Sequence, residues 1–116
     1  MKVIDKITIV DKYALFEKEY KGDKRNMFSS ICIYDPKYVE FLDFVVVDLS
    51  PQNFYNHMSK AIEYKATNVI KYLLNYSIAT NKKFIIGSDI IKMAVAHGLI
   101  DSIEDIRNYK NKIKIK

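Results

Sequence analysis

Along the first 48 residues the apolar side chains are mostly β-branched or aromatic and often alternate with polar ones: Ile7 and Ile9, Tyr13 and Leu15, Ile31 and Ile33. Successive side chains of a strand point to opposite faces, so the alternation predicts strands near 3–10, 13–20, 28–34 and 43–48. Asp11-Lys12 and Lys21-Gly22-Asp23-Lys24 are the turns expected between them. Asp35-Pro36 equally suits the start of one helical turn, since Asp is a good cap and Pro is tolerated at the first helical position.

From Ser50 the period lengthens. Ser50-Pro51 reads as a cap followed by a first-turn proline, opening a helix to about Tyr64. Val69, Ile70, Leu73, Leu74 and Ile78 recur at steps of one, three and four, which gathers them on one helical face. Ser88 is the expected cap of a helix holding Ile90, Ile91, Met93, Ala94 and Val95. Asp101 with Glu104 has the form of a capping box for another, holding Ile103 and Ile106. Gly98 falls between those two helices, where a residue free to take positive φ is useful. The pattern therefore predicts an α+β fold, one domain over 1–116. A small antiparallel β-region (1–49) would pack on two C-terminal helical hairpins (50–108), followed by a basic tail (109–116).

The helical half also repeats itself. Ala61 and Ala94, Ile70 and Ile103, and Leu73 and Ile106 are each 33 residues apart, and a fixed period in this range marks stacked supersecondary units. Over about residues 51–108 the chain resembles the ankyrin-repeat family. ATNVIKYLLN is similar to the second helix of a repeat, and MAVAHGLIDSIEDI to the end of a first helix, its glycine turn and its second helix. Asn81 and Gly87 stand where the family often has Asn and Gly in the projecting loop. The chain departs from the family pattern at Asp89-Ile90-Ile91-Lys92, which replaces Thr-Pro-Leu-His, at Lys65 in place of glycine, and in a first helix lengthened by Ser50-Pro51. Degenerate repeats of this style, in Ile/Lys/Asn-rich sequence, resemble those of large DNA viruses. The resemblance implies a non-enzymatic protein–protein interaction module, an effector or adaptor directed at a host protein. It would bind through a concave face and the loop with Asn81, Lys82, Lys83 and Phe84; Phe84 is equally well placed for the core.

Composition changes this picture in two ways. Lysine outnumbers arginine 17 to 2, and Ile, Lys, Asn, Tyr and Phe make up 57 of the 116 residues, a bias that reads as an AT-rich genome and weakens any functional meaning of single lysines. The net charge of +5 is concentrated late: Lys110, Lys112, Lys114 and Lys116 supply most of the excess in the second half. That tail and the tyrosines keep a competing class open, a small nucleic-acid-binding protein holding phosphates through the basic C-terminal half. Apolar runs such as FVVV and KFIIG are far short of the roughly 20 residues that cross a bilayer, so no membrane partner is expected. Asp5 and Lys6 interrupt what would be the apolar part of a signal peptide, and Cys32 is the lone cysteine. Both favour an intracellular location.

Chemistry-bearing patterns are sparse. His57 and His97 lie 40 residues apart with no Cys or carboxylate at helical ligand spacing, and the glycines at 22, 87 and 98 are isolated. Zinc binding and Cys-His catalysis need several convergent groups; no metal, cofactor or catalytic residue is expected. Asp48 with Glu63-Tyr64-Lys65 faintly echoes nucleases that hold a divalent metal with Asp and Glu-x-Lys, but positions two apart diverge on a helix.

Overall fold

Thr8 starts a helix where the alternation predicts a strand. Its hydroxyl accepts the Asp11 amide at 3.2 Å, and α1 follows over Ile9–Glu19. The computed structural model describes residues 8–47 and 49–114, the last by its backbone alone. Asp23 caps α2 (Lys24–Ile33) by accepting the amides of Arg25 and Asn26 at 3.0 and 3.2 Å. A 3-10 turn at Val39–Phe41 leads into the short α3 (Leu42–Val45).

There is no strand among the described residues. The antiparallel β-region expected over 13–20, 28–34 and 43–47 is therefore overturned, and the fold is helical, not α+β; residues 3–7 and Asp48 lie outside the described residues. The alternation misleads because it counts exposed residues. Leu15 and Ile33 stand in solvent, whereas Tyr13 and Phe16, then Met27, Phe28, Ile31 and Cys32, are buried at steps of one, three and four. Such a spacing is a helix face. Ile and Val disfavour a helix only slightly, and they are the background of the whole chain.

The second half consists of α4 (Pro51–Glu63), α5 (Thr67–Ala79), α6 (Ser88–Ala96) and α7 (Ile100–Lys114). Ser50 caps α4, its Oγ accepting the Asn53 amide at 3.2 Å. Two expected caps are displaced. Gly87, not Ser88, is the N-cap of α6, and α7 already begins at Ile100, which puts Asp101 inside the first turn, where its charge complements the helix dipole. The basic tail is helix through Lys114, and Tyr109 within it is a core residue.

The turns joining α4 to α5 and α6 to α7 are the same turn, 33 residues apart. Ala66 donates to the Ala61 carbonyl at 2.8 Å and Leu99 to that of Ala94 at 3.0 Å; Lys65 donates to Ile62, and Gly98 to Val95, both at 3.0 Å. Lys65 and Gly98 take φ of 56° and 70°. This is the left-handed helix ending that satisfies orphan carbonyls, free of strain for Gly and costly for Lys.

Helices then stack in two layers. In one, α2 packs on α4 and α4 on α6; in the other, α1 packs on the 3-10 turn and α5 on α7. Bonds between successive units keep nearly the same interval. The Tyr55 hydroxyl donates to Asp89 at 2.7 Å, the Tyr72 hydroxyl to Asp43 at 2.6 Å, and the Asn68 side-chain amide to Asp35 at 2.9 Å. Asp35 also accepts the Asn68 backbone amide at 3.3 Å, supplying from the preceding unit the cap that Ala66 cannot give α5. One buried cluster runs from Tyr13 through Met58 and Ile70 to Tyr109. Stacking along one axis gives an elongated molecule, 47 × 29 × 27 Å.

Candidate functional site

The stacking of α2 on α4 leaves a groove of about 730 Å3 on the side where the chain crosses from α3 to α4. Phe28, Val45 and Val46 form its floor; Lys24, Arg25, Asn53, Asn56, His57 and Lys60 line its rim. Phe28 and Val46 are buried and Val47 is exposed at the mouth. The His57 ring lies against Phe28, centroids 4.1 Å apart, and burial pushes its pKa below the ordinary 6.5. The imidazole is therefore neutral at pH 7, its ring tilted 32° to that of Phe28.

Charge in the groove runs against the helix dipole. Lys24 and Arg25 occupy the first turn of α2, which contains no acid, although cations there are repelled by the positive helix end. Among the described lining residues Asp23 is the only acid. Its carboxylate is engaged by the Arg25 and Asn26 amides and by the Asn26 side chain at 3.2 Å. With Lys60 on the opposite wall, the groove offers three cations above an apolar floor.

The loop residues singled out in sequence divide. Asn81, Lys82 and Lys83 line a separate depression of about 430 Å3 with Lys112 and Ile113 of α7. Asn81 takes φ of 58° at the end of α5, and Lys82 is tied down: its amide donates to Ser77 at 2.9 Å and its ammonium lies 3.4 Å from the Leu49 carbonyl. Phe84 turns inward. It is buried, stacked on Phe54 at 4.5 Å between centroids, and its amide donates to the Tyr109 hydroxyl at 2.9 Å. Lys82 and Lys83 follow the C-terminal end of α5 and Lys112 lies in the last turn of α7, where cations complement the helix ends; Lys24 and Arg25 stand at the opposite, positive end of α2.

Other chemistry-bearing residues are held apart. Cys32 is buried, and burial, with Asp35 beside it and Lys60 opposing, pushes its thiol up to about 12, so it carries no thiolate at neutral pH. Glu63 closes α4 while Lys65 sits in the left-handed turn, and Asp48 of the nuclease-like pattern lies outside the described residues. Among the described residues no group of three or more His, Cys, Asp or Glu is gathered to hold a metal ion, and no helix is long and apolar enough to cross a membrane. Sequence reading missed the α2/α4 groove because its lining comes from three separated segments. The local signal was an Asp cap followed at once by Lys-Arg. Comparison with protein-family models, curated proteins and solved structures finds no match for this chain.

Proposed function

We propose that the chain is a non-enzymatic protein-interaction module, an adaptor or effector built as a degenerate ankyrin-like stack, and that it binds its partner in the α2/α4 groove. The observation that carries this reading is the placement of Lys24, Arg25 and Lys60 around the floor of Phe28, Val45 and Val46. Three cations against one carboxylate, Asp23, over an apolar floor suit an extended segment in which acidic and apolar side chains alternate. Opposite charges across such a surface steer encounter and fix register more than they add affinity.

A labelled peptide alternating Glu and Leu, titrated by fluorescence anisotropy, tests the reading. Binding is expected to weaken as salt rises, and to fall at least tenfold in an Arg25→Glu/Lys60→Glu variant. Absence of binding at low salt, or indifference to the variant, refutes it. A parallel gel-shift titration with duplex DNA addresses the competing nucleic-acid reading, for which Lys82, Lys83 and Lys112 around one depression are the best support. A shift that steepens with falling salt and is lost in Lys83→Glu/Lys112→Glu would move the function there.

A further inference from the structure

Among the described residues lining the α2/α4 groove, His57 alone can change charge near neutral pH. It makes no hydrogen bond to the described residues, and the buried polar side-chain atoms left unpaired are all oxygens of other residues. Both ring nitrogens are therefore open to a ligand, while the ring face is held against Phe28. Charge reaches it from two walls. Asp23, Lys24 and Arg25 stand at the start of α2 and Lys60 on α4, whereas Val45, Val46 and Val47 bring none. The Asp23 carboxylate is already engaged by the Arg25 and Asn26 amides and the Asn26 side chain, which leaves the imidazole without a free anion among the described residues. Burial is what holds it neutral.

We propose that His57 is the proton-linked contact of this groove: when an acidic segment of a partner protein seats there, the imidazole takes up a proton and bonds the incoming carboxylate, so the partner is held more tightly as pH falls below neutral. This rests on the groove being the binding site and adds how that site is regulated. Position directs the carboxylate to the ring. His57 and Lys60 are three residues apart on α4 and are neighbours on one helix face, so an acid drawn to Lys60 arrives beside the imidazole. The proton comes from solvent and goes to the ring nitrogen that lacks one, after which both nitrogens donate. A carboxylate within about 4–6 Å favours the charged imidazole by tenfold or more. That exceeds what is lost by covering a ring that is already half-buried. Protonation adds a fourth cation to Lys24, Arg25 and Lys60, and only an anionic occupant compensates it.

Fluorescence anisotropy on the full chain at pH 7.5 and about pH 6 tests this, with the labelled Glu/Leu peptide and with its counterpart carrying cysteic acid in place of Glu, which stays ionised throughout. Both peptides are expected to bind at least about threefold more tightly at the lower pH. His57→Gln, whatever its affinity at pH 7.5, should show no such gain. An NMR titration of the histidine Cε1 protons of the wild type needs no variant: saturating peptide should raise the midpoint of His57 and leave that of His97, which is not in the groove, where it was. Failure of both peptides to bind at either pH refutes the groove as the binding site, and the proposal with it. Binding that is equal at both pH values, a gain that survives in His57→Gln, or a His57 midpoint that the peptide does not move overturns the proton linkage and leaves the groove standing.

Discussion

The α4/α5 and α6/α7 hairpins share a turn, hydrogen bond for hydrogen bond, yet differ in nearly everything that surrounds it. Ile62 lies under the next hairpin and Val95, its counterpart, lies in water. Tyr76 is half-buried against Tyr72, whereas Tyr109 is buried with its hydroxyl bonded to Ser77 and the Phe84 amide. The backbone of a unit is set locally, by its turn and caps. The worth of each side chain is set by whether another unit follows.

Removing the same kind of side chain from the two places should separate these contributions most widely. Ile62→Ala leaves a cavity under α6 and is expected to cost about 2–5 kcal/mol, a large share of the 5–15 kcal/mol that holds an ordinary domain together. Val95→Ala trims a group that is 60% exposed and should fall within about 0.5 kcal/mol. Urea melts of the two variants check this, and equal losses would contradict the exposure of Val95.

The tyrosine pair gives the next largest contrast. Tyr109→Phe strands the buried Phe84 amide and leaves the Ser77 hydroxyl with only its bond to the Lys82 carbonyl, so a loss of about 1–3 kcal/mol is expected. Tyr76→Phe should be nearly neutral. Hydrogen exchange at the Phe84 amide gives a sharper readout, expected to accelerate in Tyr109→Phe and to stay unchanged in Tyr76→Phe.

The same contrast between local and distant causes explains what the sequence discloses. Ser50-Pro51, Gly98 and the 33-residue interval are local signals, and the structure shows a cap, a left-handed turn and a repeated hydrogen-bond pattern at those places. The N-terminal half misleads because Ile, Val and Tyr are common throughout, so alternation arises without strands. Its helix signals are the quieter ones: Thr8 and Asp23 as caps, and burial of Tyr13 with Phe16 and of Met27 with Ile31. Phe84 fell among the loop residues by position and in the core by packing on Phe54, which no neighbour in sequence announces. The α2/α4 groove was illegible for the same reason, since Phe28, Val46 and His57 meet only after the helices stack.

Exchanging the residues at the turn itself should have smaller and opposite effects. Gly98 has φ of 70° with nothing within 4 Å of an added Cβ, so Gly98→Ala is penalised by backbone conformation alone, at about 1 kcal/mol. Lys65→Gly relieves that same conformation and should stabilise by a few tenths to about 1 kcal/mol, partly offset by the freer unfolded chain. Thermal melts of both variants, expected to move in opposite directions, check that the two turns are equivalent.

The smallest effect at neutral pH, and one that grows on acidification, concerns His57, whose counterpart 33 residues on is the buried Ile90. Burial against Phe28 holds the folded-state pKa of His57 below the ordinary 6.5 that it regains on unfolding. Between those two values the unfolded chain binds more protons than the folded one, so stability rises with pH across that window and falls as pH drops. Above it both states are neutral and the residue adds no pH dependence. His57→Ile, borrowing the residue of the other hairpin, should leave neutral-pH stability close to the wild type's and flatten the loss that begins as pH falls through 6.5. Urea midpoints taken from pH 7.5 down to about pH 5 test this against the ordinary titration range of histidine. If the variant keeps the wild-type acid slope, another group causes it, and His57 does not sit neutral between α2 and α4.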